Sequence, residues 1–180
     1  MRLIRAAAVA DDLAAARISA GEQAQYLIAS FLIWLIPAYL LLFPAPRTND
    51  AQFFWWVWLA ELALIVLSCV AGIKWCLTRC RFDPARNFLI DFSCLNAPVS
   101  LSTLIVVWGA FYLVTGVFSL GWIPALDSPH LYDLLRMLAS ASAVLVVFIR
   151  VGRHMDRISS MRESAVNVVP ASQASSAARR

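Results

Sequence analysis

Charge is the scarcest property of this chain: Asp, Glu, Lys and Arg make up 14% of its 180 residues, whereas soluble domains carry about 25%. A soluble fold needs charge to cover its outside. With 61% hydrophobic residues, much of the apolar surface must meet lipid instead, which disfavours a water-soluble helical bundle. The familiar signatures of catalysis are missing as well. The chain has no glycine-rich loop to cradle a phosphate, no H-E-x-x-H, no G-x-S-x-G and no pair of histidines at ligand spacing. Its two histidines, His130 and His154, fall on opposite sides of the expected membrane. No segment between the apolar runs is long enough for a catalytic domain, and no nucleophile has a base beside it. A non-enzyme with no cofactor is expected.

Nucleic acid is not an expected partner either. The net charge of +4 and the pI near 9.2 arise from basic residues beside apolar runs, without a basic patch interleaved with aromatics. Attraction to anionic lipid, at about 1 kcal/mol per basic residue near the surface, accounts for them more simply.

What the chain does have is order in its positive charge. Thirteen of the fifteen Lys and Arg residues fall in the N-terminus, in 74–86 and after 149, separated by pairs of long apolar runs. Lys and Arg are retained on the cytoplasmic side of polytopic membrane proteins. The expected fold class is therefore an all-α integral membrane protein with four transmembrane helices and both termini in the cytoplasm. The spans are about 26–43, 53–73, 99–120 and 131–149, close to the roughly 20 residues that cross a hydrocarbon core of about 30 Å. The expected location is the inner cell membrane, multi-pass, with the bilayer as first partner.

Residues 1–20 read as a cytoplasmic segment with a short helix, and 21–158 as the four-helix membrane domain. The tail 159–180, without periodicity, is expected to be disordered. Ala6–Ala10 is too short for the roughly 7–15 residues of a signal peptide's apolar core, so the N-terminus is expected to stay. Ser19 and Glu22 have the spacing of a capping box at the start of span one. Pro37 predicts a kink within that span, and Pro44–Asp50 an external turn. Phe53, Phe54, Trp55, Trp56 and Trp58 suit an interfacial aromatic belt. Between spans two and three, Asp83-Pro84 starts a short amphipathic helix expected to lie in the cytoplasmic interface, with Phe88, Leu89 and Phe92 on its apolar side and Arg86 on its polar side.

Three constellations are candidates for function. The first is Glu61, about 12 Å deep in span two, with Arg136 about 7–8 Å deep in span four and Asp133 one turn before it. Either the three line a polar path, or they form a pair that sets which helices touch; the structural reading is favoured because no further deep acid or histidine extends the path. The second is Cys76, Cys80, Cys94 and His154, weak candidates for a metal because their spacing matches no compact zinc motif. The third is the small-residue pairs Ser68/Gly72, Thr115/Ser119 and Ala139/Ala143, with Gly109 and Gly116, which let helices approach closely.

Function is expected to lie in association. The chain reads as an accessory or sensing subunit of a membrane complex, with a cytoplasmic docking surface built from Arg86, Phe88, Leu89, Phe92, Arg150, Arg153 and Arg157. Its partner is another membrane or cytoplasmic protein or a second copy. The alternative is a small homo-oligomeric channel or transporter using Glu61 and Arg136.

Overall fold

A computed structural model describes residues 5–42, 51–80, 84–117 and 129–177, with side chains for 5–35, 52–80, 87–116 and 130–166. These residues form helices and connecting turns, without strands. Five helices follow in order: α1 (Ala6–Ala14), α2 (Ala20–Leu42), α3 (Ala51–Arg79), α4 (Pro84–Val117) and α5 (Pro129–Ala177).

Three of them are long and apolar enough to cross a membrane: Gln52–Arg79, Asn87–Gly116 and His130–Val166. In their most apolar windows only 17–33% of residues are buried by the protein itself. Side chains such as Trp56, Leu67, Val106 and Leu113 are left outward, a surface that an apolar solvent must cover. In α2, side chains are described as far as residue 35. The expected external turn Pro44–Asp50 and most of the second external loop lie outside the described residues.

Packing runs in the order α2, α4, α5, α3. The most extensive contact is α3 on α5, followed by α4 on α5 and α2 on α4, while α3 and α4 barely meet. Contacts along α3 and α5 keep a nearly constant offset: Phe53 with His130, Glu61 with Arg136, Gly72 with Phe148, Arg79 with Asp156. The two helices are therefore parallel. Helix α4 runs antiparallel to α5, since Asp91 meets Arg162 while Ser102, further along α4, meets Arg150, earlier in α5. The α3–α5 contact is a pair of rings set on glycines. A Cβ added at Gly72 would lie 2.1 Å from the Phe148 ring, and one at Gly152 would lie 2.7 Å from the Trp75 indole nitrogen.

Two expectations are corrected here. The segment Pro84–Leu95 is not a separate interfacial helix: α4 continues from Pro84 through Pro98 to Val117. Pro98 has no N–H for the carbonyl of Cys94, yet the turn is held by packing, with residues 94–100 all buried. Across it, the Ser30 hydroxyl donates to the Ser93 carbonyl at 3.0 Å, tying α2 to α4. Nor is the chain unstructured beyond Ser159, since α5 continues to Ala177. The first turns of that extension find partners: Ser159 is buried and donates to the Arg79 carbonyl at 3.2 Å, and Arg162 is held by α1 and α4.

The capping box forms as read. Glu22 Oε2 accepts from the Ser19 N–H at 3.1 Å, and Ser19 Oγ accepts from the Glu22 N–H at 3.3 Å. Helix α1 ends in a reciprocal pair of bonds, Arg17 N–H to the Asp12 carbonyl at 2.8 Å and Ala16 N–H to the Leu13 carbonyl at 3.1 Å, the Schellman arrangement. This places Ala16 at φ 52°, where glycine is favoured. Ala16→Gly is expected to tighten α1 by up to about 1 kcal/mol, seen as slower amide exchange over residues 6–14. Unchanged or faster exchange would contradict the strain.

The main buried core lies at one end of the molecule. Val9, Ala10 and Leu13 of α1 meet Cys94 and Leu95 of α4 and Val151, Met155 and Ile158 of α5. Much of this packing surrounds the polar segments rather than the middle of the apolar runs.

Candidate functional site

Glu61 is 2% exposed and sits one turn beyond Val57 on the face of α3 that meets α5. A carboxylate there is costly unless compensated. Its compensation is Arg136, whose Nη2 lies 3.0 Å from Glu61 Oε2. The contact is Coulombic, since neither atom finds a hydrogen-bond partner of good geometry. Sequence spacing brought these two residues together as a pair, and the structure pairs them. Asp133 stays outside the pair. It is buried one turn earlier on α5, and its Oδ2 has no hydrogen-bond partner among the described residues.

His130 belongs to the same end of α5 and was not singled out with the others. Its ring stands edge-on to Phe53 with centroids 4.3 Å apart, and its Nδ1 is buried without a hydrogen bond. The signal was available in the i, i+3, i+6 spacing of His130, Asp133 and Arg136, which keeps the three near one helix face. This end of the α3–α5 contact therefore carries the Glu61–Arg136 pair, the buried Asp133 and the His130 imidazole with its ring against Phe53. Such a set fixes the register of α3 on α5, and it also has acceptor capacity left over on Asp133.

At the other end of the molecule, sequence reading missed a stronger pair. Arg162 grips Asp91 with both arms, Nη1 to Oδ2 at 2.6 Å and Nη2 to Oδ1 at 3.0 Å, and Nη2 also donates to the Leu13 carbonyl at 3.2 Å. One guanidinium thus joins α4, α5 and the end of α1. The sequence gives no sign of the pair, because Arg162 falls in a tail without periodicity and Asp91 off the apolar side of the expected short helix. Around it, Arg157 pairs with Asp11 of α1 at 2.8 Å, and Arg79 pairs with Asp156 while its guanidinium lies 4.3 Å over the Trp75 ring.

The residues of the expected docking surface separate into two sets. Phe88 stacks on Phe92, and Phe92 on Phe148 of α5, with centroids 5.6 and 6.1 Å apart, so these rings support the core. Leu89 points outward at 73% exposure, with Ile90 beside it. The Arg86 side chain lies outside the described residues. Arg153 is exposed and Arg157 is engaged with α1. Arg150 donates from Nη1 to the hydroxyls of Ser102 at 3.0 Å and Thr103 at 2.9 Å.

The cysteines serve packing. All four are free thiols, and Cys76, Cys80 and Cys94 are buried, with Cys76 Sγ donating to the Phe148 carbonyl at 3.6 Å. Among the described residues no three of His, Cys, Asp and Glu gather as a metal site. Of the small residues, Gly72 and Ala143 lie in helix contacts, whereas Gly109 and Gly116 face open space. Ser119 lies outside the described residues.

Arg136→Gln is expected to destabilise the α3–α5 contact by roughly 1–3 kcal/mol, because it leaves the Glu61 carboxylate without its cation. Glu61→Gln should cost less, since Arg136 lies nearer the end of α5 and can reach polar surroundings. Thermal midpoints of the two variants in detergent check this; equal midpoints, or a larger loss with Glu61→Gln, would contradict it.

Comparison with known proteins brings no relative: no family model, no curated protein and no solved structure matches the chain.

Proposed function

We propose that the protein is a small inner-membrane protein of four spans, both ends cytoplasmic, that works by association as an accessory or sensing subunit of a membrane complex. The observation that carries this reading is the position of its packed core. Most of the tightly buried residues gather where α1, the start of α4 and the continuation of α5 meet, beside the basic segments that Lys and Arg retention assigns to the cytoplasm. A helix bundle serving only to cross lipid has no need of a docked N-terminal helix latched by Arg162. A rigid body on one side, with an outward apolar strip at Leu89 and Ile90, suits recognition of another protein.

The test is photo-crosslinking from position 89 in cells, followed by isolation in gentle detergent. A defined partner that disappears with Leu89→Arg is expected, with the fold unchanged because Leu89 touches no core. Crosslinks only to lipid, or a partner unaffected by Leu89→Arg, would reject the surface.

The second reading, a homo-oligomeric channel or transporter, draws on the Glu61, Arg136 and Asp133 cluster and the spare acceptor on Asp133. It requires Glu61→Gln to change ion or proton flux in reconstituted vesicles. Association alone requires flux at background in both wild type and variant.

A further inference from the structure

We propose that the groove between α4 and α5 is a binding site for an anionic phospholipid, with its phosphate on Arg150 and an acyl chain along Val106 and Val146. The site begins with Arg150, a cation that no carboxylate among the described residues neutralises. Arg150 Nη1 donates to two neutral hydroxyls, Ser102 at 3.0 Å and Thr103 at 2.9 Å. Among the described residues no carboxylate pairs with it, unlike Arg79, Arg136, Arg157 and Arg162. Its other N–H donors have no partner among those residues either. The hydroxyls are neutral, so they orient the guanidinium without cancelling its charge; Thr103 is buried, and Ser102 is itself held by donating to the Val99 carbonyl at 3.0 Å. An oriented, uncompensated guanidinium is a ready partner for phosphate.

The depth is right for a headgroup. About 20 residues of helix cross the hydrocarbon core, so α5, starting at Pro129, reaches the opposite boundary near Arg150. Outward from Arg150 the groove turns apolar. One turn along α4 from Ser102 come Ile105 and Val106, at 62% and 68% exposure. Val146, one turn before Arg150 on α5, is also exposed. Gly109 continues the α4 side, and a Cβ there would meet nothing within 4 Å, which leaves room for a chain. Charge at one end and an open apolar groove behind it match an anionic amphiphile better than a soluble anion or a protein carboxylate.

The site rests on membrane insertion but not on the association reading, and lipid binding in detergent does not depend on which way the protein faces. The experiment is native mass spectrometry of the full chain, titrated with dioleoyl phosphatidylglycerol and, separately, with the phosphatidylcholine of the same chains. One phosphatidylglycerol retained in preference to phosphatidylcholine is expected, weakened about tenfold by Arg150→Gln and unchanged by Arg153→Gln. Equal retention of both lipids, no effect of Arg150→Gln, or an equal loss with Arg153→Gln would overturn the site. Displacement by glycerol phosphate at matched concentration would also overturn it, since it would show that the anion alone binds. Should Arg150→Gln fail to fold, Val106→Trp fills the groove and leaves Arg150 in place: loss of the lipid then supports the site, and retention overturns it.

Discussion

Arg162→Met is expected to free α1 from the rest of the protein and to cost roughly 3–5 kcal/mol, the range for breaking one side of a buried ion pair. Asp91 is 4% exposed in its side chain and Arg162 17%. Solvent can therefore do little for the carboxylate left behind. The same guanidinium holds the Leu13 carbonyl, so its loss reaches α1 directly. Arg157 and Asp11 remain as a second tie between α5 and α1, but half-exposed pairs of that kind contribute about 0–1 kcal/mol. Amide exchange over residues 6–14 should rise sharply, with less change in the middle of α3. Removing both charges, as in Asp91→Leu with Arg162→Met, should recover much of the loss, because no buried charge is then unpaired. A single variant that leaves α1 as protected as before would show that Val9, Ala10 and Leu13 hold it without help.

Gly72→Val should separate α3 from α5. In a helix interior, replacing glycine by a residue with a side chain ordinarily gains up to about 1 kcal/mol from backbone propensity. Here the first added carbon would fall 2.1 Å from the root of the Phe148 ring, and overpacking costs about 1–3 kcal/mol or more. The steric cost wins, and the valine methyls add to it. Phe148→Ala in the same chain should restore part of the stability, a coupling expected of residues in direct contact. Gly109→Ala, with open space around it, is the control and should be neutral or stabilising. Thermal midpoints in detergent decide the matter. A Gly72→Val protein as stable as wild type would mean that α3 does not seat on Phe148.

How much of this was legible beforehand depends on the kind of signal. Long apolar runs carry their information along the chain, so the apolar helices could be read directly. The Ser19–Glu22 cap is local and was equally plain. Glu61 and Arg136 were legible because charge inside an apolar run is conspicuous. Asp91 and Arg162 were not, because each stands among polar residues and their pairing is set by the antiparallel register of α4 and α5. Pro98 falls between the short helix and the third span read from the sequence, where proline usually marks a helix start, whereas here buried neighbours carry α4 through it. Leu13, Met155 and Ile158 gave no periodic warning of a core, since their segments mix apolar and charged residues. Packing between segments far apart in sequence decided each of these.

In the proposed topology the apolar helices cross a bilayer four times, with the α1–α4–α5 core on the cytoplasmic side. Paired reporter fusions, one active only outside the inner membrane and one only inside, test it most directly at positions 48, 82, 126 and 180. The outside reporter should be active at 48 and 126 and the inside reporter at 82 and 180. Activity of the outside reporter at 82 or 180, or of the inside reporter at 48, would contradict it.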